Sequence, residues 1–96
     1  MAQDSFNRGK RKLGQQDYQG AIEEFDRAAI EDPNNAYIYF FRGSAYSQLR
    51  KIKEAIADYD EALKIDSKLV IAYVNRGVSY KRLRKYEQAI ADYNNY

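Results

Sequence analysis

The stretch Arg42–Tyr59, RGSAYSQLRKIKEAIADY, returns 34 residues later as Arg76–Tyr93, RGVSYKRLRKYEQAIADY. A chain that restates itself at a fixed period folds as copies of one supersecondary unit, each burying its apolar face against the next. The same step links Arg8, Arg42 and Arg76, then Gly9, Gly43 and Gly77, then Ala21, Ala55 and Ala89. It also links Ile22, Ile56 and Ile90, and Phe25, Tyr59 and Tyr93. The units run over residues 2–35, 36–69 and 70–96, the third incomplete, within a single domain spanning 1–96.

Inside each unit the spacing is helical. Tyr39, Gly43 and Tyr46 share one face of a first helix, and Tyr73, Gly77 and Tyr80 repeat it. Ala55, Tyr59 and Ala62, flanked by Ile52, Ile56 and Leu63, form the answering stripe on a second helix. Small residues set against large ones let two helices approach closely. The breaks fall at QQD (15–17), EDPNNA (31–36) and LRK (49–51 and 83–85). Pro33 cannot continue a helix, and Asn34 and Asn35 suit a turn and an N-cap. The pattern predicts helices over about 3–14, 18–31, 36–50, 53–66, 70–84 and 87–95, with ends uncertain by a few residues.

A 34-residue helix–turn–helix unit with these fixed positions resembles the tetratricopeptide repeat. Unit 2 carries Tyr39, Gly43, Tyr46, Ala55, Tyr59 and Ala62, with Ser67 where that family has proline. Unit 3 carries Tyr73, Gly77, Tyr80, Ala89 and Tyr93, with Tyr96 in place of the expected alanine. Unit 1 keeps Gly9, Ala21, Phe25, Ala28 and Pro33 but has Ser5 and Lys12 at its two large first-helix sites, in keeping with a more polar terminal repeat. The resemblance covers the whole chain. It implies an all-α fold, a right-handed α-solenoid of antiparallel helix pairs.

Arg8, Arg42 and Arg76 stand where the family more often has leucine, and sixteen residues after each comes an acid: Glu24, Asp58 and Asp92. A guanidinium near a core needs a counter-charge. The co-repetition predicts an arginine–carboxylate pair between the two helices of each unit. The alternative is that the arginines snorkel to water beside unrelated acids.

By the same resemblance, first-helix residues off the packing stripe face a concave groove. The candidate partner-binding residues are Phe6, Asn7, Lys10, Phe40, Phe41, Val74, Asn75, Val78 and Lys81. The groove is expected to be aromatic and aliphatic at its middle and basic along one border. Tyr37, Phe40 and Phe41 could instead pack between units, but with Tyr39 on the stripe they cannot all face inward, so at least one ring should be exposed in the groove. Repeats that hold the acidic tails of heat-shock chaperones use a two-carboxylate clamp of lysines, asparagines and an arginine. The matching positions here are Phe6, Lys10, Phe41, Ile71 and Asn75, and none has the expected residue type.

Composition narrows the function. The chain has no histidine and no cysteine, which removes the commonest general base, the commonest metal ligand and any disulfide framework. No phosphate loop or metal-ligand cluster is present, so neither an enzyme nor a bound cofactor is expected. A formal net charge of +2, from 16 basic and 14 acidic residues, predicts no strong pull on nucleic acid. The runs KRK (10–12), RKIK (50–53) and KRLRK (81–85) end first helices, where cations complement the helix dipole. No apolar run is long enough for membrane insertion or a signal peptide, which favours a cytoplasmic setting. The expected function is therefore a protein–protein interaction module or scaffold that takes a peptide or helix in its groove. The alternative is a structural array stacking end to end, a homo-oligomer built through an exposed C-terminal face carrying some of Tyr80, Tyr86, Tyr93 and Tyr96.

Overall fold

The computed structural model describes residues 1–95 and is all-helical over them. Its elements are α1 (Ala2–Gly14), α2 (Tyr18–Glu31), α3 (Ala36–Gln48), α4 (Ile52–Ile65), α5 (Val70–Arg82) and α6 (Tyr86–Tyr93). Each helix packs on its neighbours in sequence, and α1 touches α3 as α3 touches α5. The odd-numbered helices therefore line one side of an elongated stack measuring 39 × 24 × 17 Å. The expected helical solenoid is what forms. Tyr96 lies outside the described residues, so its part in the expected end face is not described.

The periodic glycines explain how each hairpin closes. A Cβ on Gly9 would stand 2.5 Å from Phe25 Cε1, one on Gly43 2.9 Å from Tyr59 Cε1, and one on Gly77 2.7 Å from Tyr93 Cε1. Each glycine thus presses its backbone against an aromatic ring of the second helix, and any side chain there would overpack the contact. Around these contacts lie two cores. One joins Phe6, Ala21, Ile22, Phe25 and Ala28 to Ile38 and Ala45 of the next unit. The other joins Phe40, Ala55, Tyr59, Ala62 and Leu63 to Leu69 and Ala72. Each core crosses a unit boundary, so no unit buries its apolar face alone.

Helix ends follow the local chemistry with one surprise. Asp17 caps α2 by accepting from the Gly20 amide at 3.0 Å, and Asn35 caps α3 by accepting from Tyr37 at 3.0 Å. The first helices, however, stop two residues short of the sequence expectation at Gln48 and Arg82. They close through a left-handed residue at Gln16, Arg50 and Arg84, with φ of 63°, 62° and 61°. The following amides reach back, Asp17 to Lys12 O, Lys51 to Tyr46 O and Lys85 to Tyr80 O, the closure that usually employs glycine. All three lie in the breaks at QQD and LRK, but no glycine occupies the left-handed position, so the sequence marks the break and not its geometry.

Candidate functional site

The periodic arginines form a ladder that fixes the spacing of the helices behind the groove. Arg42 donates from Nε and Nη2 to both Asp58 oxygens at 2.9 and 2.7 Å, and from Nη1 to Asp26 at 3.0 Å. Arg76 repeats this with Asp92 at 2.9 and 2.6 Å and with Asp60 at 2.8 Å. Each arginine thus clips its own hairpin shut and reaches back to the preceding unit. Arg8 makes a single bond to Glu24 at 3.2 Å and one to Ser5 at 3.1 Å. The expected pairing is present, and the backward arm to Asp26 and Asp60 is an addition that counting forward by sixteen misses.

The electrostatics follow from this geometry. The hydrogen bonds it donates to Asp58 hold the Arg42 guanidinium above its ordinary value, against burial and with help from Asp26. Burial lifts the Asp58 carboxyl while Arg42 draws it back, and a guanidinium forked onto both oxygens keeps it ionised at neutral pH. Burial also acts upward on Glu24, but hydrogen bonds and charge from Arg8 and Arg27 outweigh it and hold this carboxyl below its usual range. Among the described residues, no buried side-chain nitrogen or oxygen lacks a hydrogen-bond partner.

On the opposite side, α3 and α5 enclose an open cleft. A part of about 210 Å³ is lined by Ser44, Ser47, Gln48, Tyr59, Asn75, Val78 and Arg82. Tyr59, its phenol pushed up by burial and so neutral, approaches Ser44 at 3.5 Å from the floor. Arg82 spans the cleft to donate to Ser47 at 3.2 Å. The lining offers hydroxyls and amides with one cation and one apolar contact.

Family comparison agrees with the architecture. Models described as tetratricopeptide repeat match residues 6–69 and 70–95. The chain belongs to the tetratricopeptide repeat family. Among solved structures, it is similar to the first and second tetratricopeptide domains of Spaghetti (RPAP3) bound to the HSP90 peptide SRMEEVD. For the first, identity is 30% with a TM-score of 0.96, covering 98% of this chain and 75% of that one. For the second, identity is 29% with a TM-score of 0.95, covering 98% and 87%. The tetratricopeptide domain of Arabidopsis OM64 is 27% identical with a TM-score of 0.95, covering 97% of this chain and 77% of that one. No curated protein matches the chain. Tetratricopeptide arrays are protein-interaction modules rather than enzymes, and this one has the same build.

The array sorts the sequence-derived site residues into two groups. Phe6 and Phe40 are each only 9% exposed and belong to the two cores, so the expected aromatic middle of the groove is corrected. Phe41 is half-buried between them, with ring centroids 5.8 Å from Phe6, 6.2 Å from Phe25 and 5.2 Å from Phe40. Val74 is half-buried, Asn75 and Val78 line the cleft, and Asn7, Lys10 and Lys81 are exposed. Lys10 lies 4.8 Å over the Phe6 ring and covers it. Of Tyr37, Phe40 and Phe41, Tyr37 is the exposed one, and it is not among the residues lining the cleft. Ser44, Ser47, Gln48 and Arg82 line the cleft and are absent from the sequence-derived set. The signal was available, since Phe6, Phe40 and Val74 are apolar at one register, as packing demands, whereas Lys10, Ser44 and Val78 vary freely.

Proposed function

We propose that this chain holds a peptide segment across the side formed by α1, α3 and α5, with Asn7, Lys10, Phe41, Ser44, Asn75, Val78 and Lys81 as its contact surface. The observation that carries the reading is the open polar cleft between α3 and α5, on a chain whose peptide-bound relatives superpose over 98% of its length. The groove has hydrogen-bonding groups from two helices and an apolar contact at Val78, while the arginine ladder keeps those helices at fixed spacing. The ligand differs from SRMEEVD in how it is gripped, because Phe6, Lys10, Phe41, Ile71 and Asn75 replace the residue types of a two-carboxylate clamp. The molecule works as an adaptor, without chemistry of its own, and its partner is a protein.

A peptide selected on the folded chain from a displayed random library provides the test. Asn75→Ala and Val78→Ala should each weaken its binding several-fold at unchanged helicity, because contacts central to a cleft carry a large share of the energy. Unchanged affinity in both variants would place the binding surface elsewhere.

A further inference from the structure

The basic residues closing the first helices do more than complement helix dipoles at one place. Beyond the Ser44–Asn75 part, the cleft widens to about 520 Å³ lined by Ser47, Gln48, Arg50, Ile52 and Arg82. Ser47, Gln48 and Arg82 line both parts, so one ligand can occupy them together. Two guanidinium side chains thus share a cavity wall with a hydroxyl and an amide. Among the described residues, neither Arg50 nor Arg82 has a carboxylate within ion-pair distance, whereas Arg8, Arg42 and Arg76 all do. At about 30 Å³ per water, the space admits a hydrated side chain rather than a single ion. Arg82 is already oriented across the cleft by its 3.2 Å bond to Ser47, which leaves its remaining N–H groups for another acceptor.

We infer that Arg50 and Arg82, with Ser47 and Gln48, form an oxyanion subsite that receives an acidic side chain of the bound peptide. This rests on the groove reading above and adds the ligand's chemistry to it. The subsite lies at the α3–α5 ends, away from Lys10, so the anchoring charge is displaced from the positions of a two-carboxylate clamp. Planar guanidinium groups suit carboxylate and phosphate oxygens alike, and both are carried by peptides, as aspartate, glutamate or phosphoserine. Arg84 supplies the internal control. It has the same charge and the same left-handed backbone as Arg50, at φ 61° against 62°, but it lies outside the cleft lining.

The experiment selects a displayed random peptide library against the immobilised full chain, its Arg84→Gln variant and an Arg50→Gln/Arg82→Gln double variant. Thermal melts confirm that all three are folded. Enrichment of Asp and Glu on the wild type and Arg84→Gln, lost on the double variant, supports the subsite. A selected peptide should then lose about tenfold in affinity when its acidic residue becomes Gln, the scale of one charge-assisted hydrogen bond. Phosphoserine at that residue separates the two sources: tighter binding than Glu assigns the subsite to phosphopeptides, weaker binding to carboxylates, and retained dependence on Arg82 supports it either way. Undiminished acid enrichment on the double variant overturns the subsite but leaves the groove reading in place. Equal loss on Arg84→Gln overturns it in favour of a diffuse basic field. No enrichment of any peptide on the folded wild type overturns both readings.

Discussion

The two ends of the stack obey the same period and treat it differently. At one register the chain has Asp4, Ile38 and Ala72, and at another Arg11, Ala45 and Ser79. The α3 and α5 residues are buried, with Ile38, Ala45 and Ala72 in the cores shared with the preceding unit, while Asp4 and Arg11 are exposed on α1. The α1 face has exchanged its packing residues for charges. The α6 face has not. Isoleucine recurs unchanged at 22, 56 and 90, yet exposure rises from 3% at Ile22 to 58% at Ile90. Tyr86 is exposed beside it. The same letter at one register is therefore buried on α2 and exposed on α6. Head-to-tail stacking of copies would set Asp4 and Arg11 against Ile90, an unfavourable match of charge to apolar surface.

Both ends depend on hairpins that close alike, and the largest effect comes from breaking one. Gly43→Leu should unfold the domain, exceeding the about 1–3 kcal/mol of ordinary overpacking, because its side chain would occupy the Tyr59 ring position. Gly14→Ala, whose Cβ meets nothing within 4 Å, should leave a thermal melt unchanged or slightly raised. Equal melting of the two variants would contradict the close approach.

The end-to-end contrast is tested directly by one residue type at one register. Ile22→Ala should cost about 2–5 kcal/mol, as for other buried aliphatic truncations. Ile90→Ala should stay within about 0.5 kcal/mol, as for exposed sites. Urea midpoints measure both, and similar losses would mean that the α6 face is covered in solution.

Next in size is the arginine ladder, where Arg42 is 20% exposed and Arg8 is 46% exposed. Arg42→Gln strands a buried Asp58 and should cost about 3 kcal/mol, whereas Arg8→Gln should cost about 1 kcal/mol or less. A double-mutant cycle should show Arg42 and Asp58 coupled, and strict additivity would remove the pair from the account.

The smallest effect is a pH dependence at Glu24, whose folded carboxyl titrates below its unfolded value of roughly 4.3. Its contribution is complete above that unfolded value and is lost as pH falls through the lowered folded one. Glu24→Gln should therefore flatten the acid limb of a stability–pH curve and leave the slope above pH 6 alone. An unchanged acid limb would contradict it.

The sequence disclosed the fold because packing is periodic here: glycine against ring, arginine against acid and apolar stripe against stripe all recur every 34 residues. What stayed hidden had no periodic letter of its own kind. The left-handed closures at Gln16, Arg50 and Arg84 use no glycine, so α3 and α5 were expected to run two residues too long. The backward bonds to Asp26 and Asp60 recur only twice, Asn94 occupying the third place. The burial of Phe40 against Tyr59, whose ring centroid is 5.9 Å away, is by contrast legible across units, in the apolar register of Phe6, Phe40 and Val74, and not from α3 alone.

The proposed recognition surface is the α1–α3–α5 side, with the apolar α6 face outside it. An amide NMR titration of the folded chain with a library-selected peptide tests this most directly. Shifts should concentrate at Asn7, Lys10, Ser44, Asn75 and Val78, with Tyr86 and Ile90 unmoved. Shifts centred on Tyr86 and Ile90, with Ser44 and Asn75 silent, would contradict it.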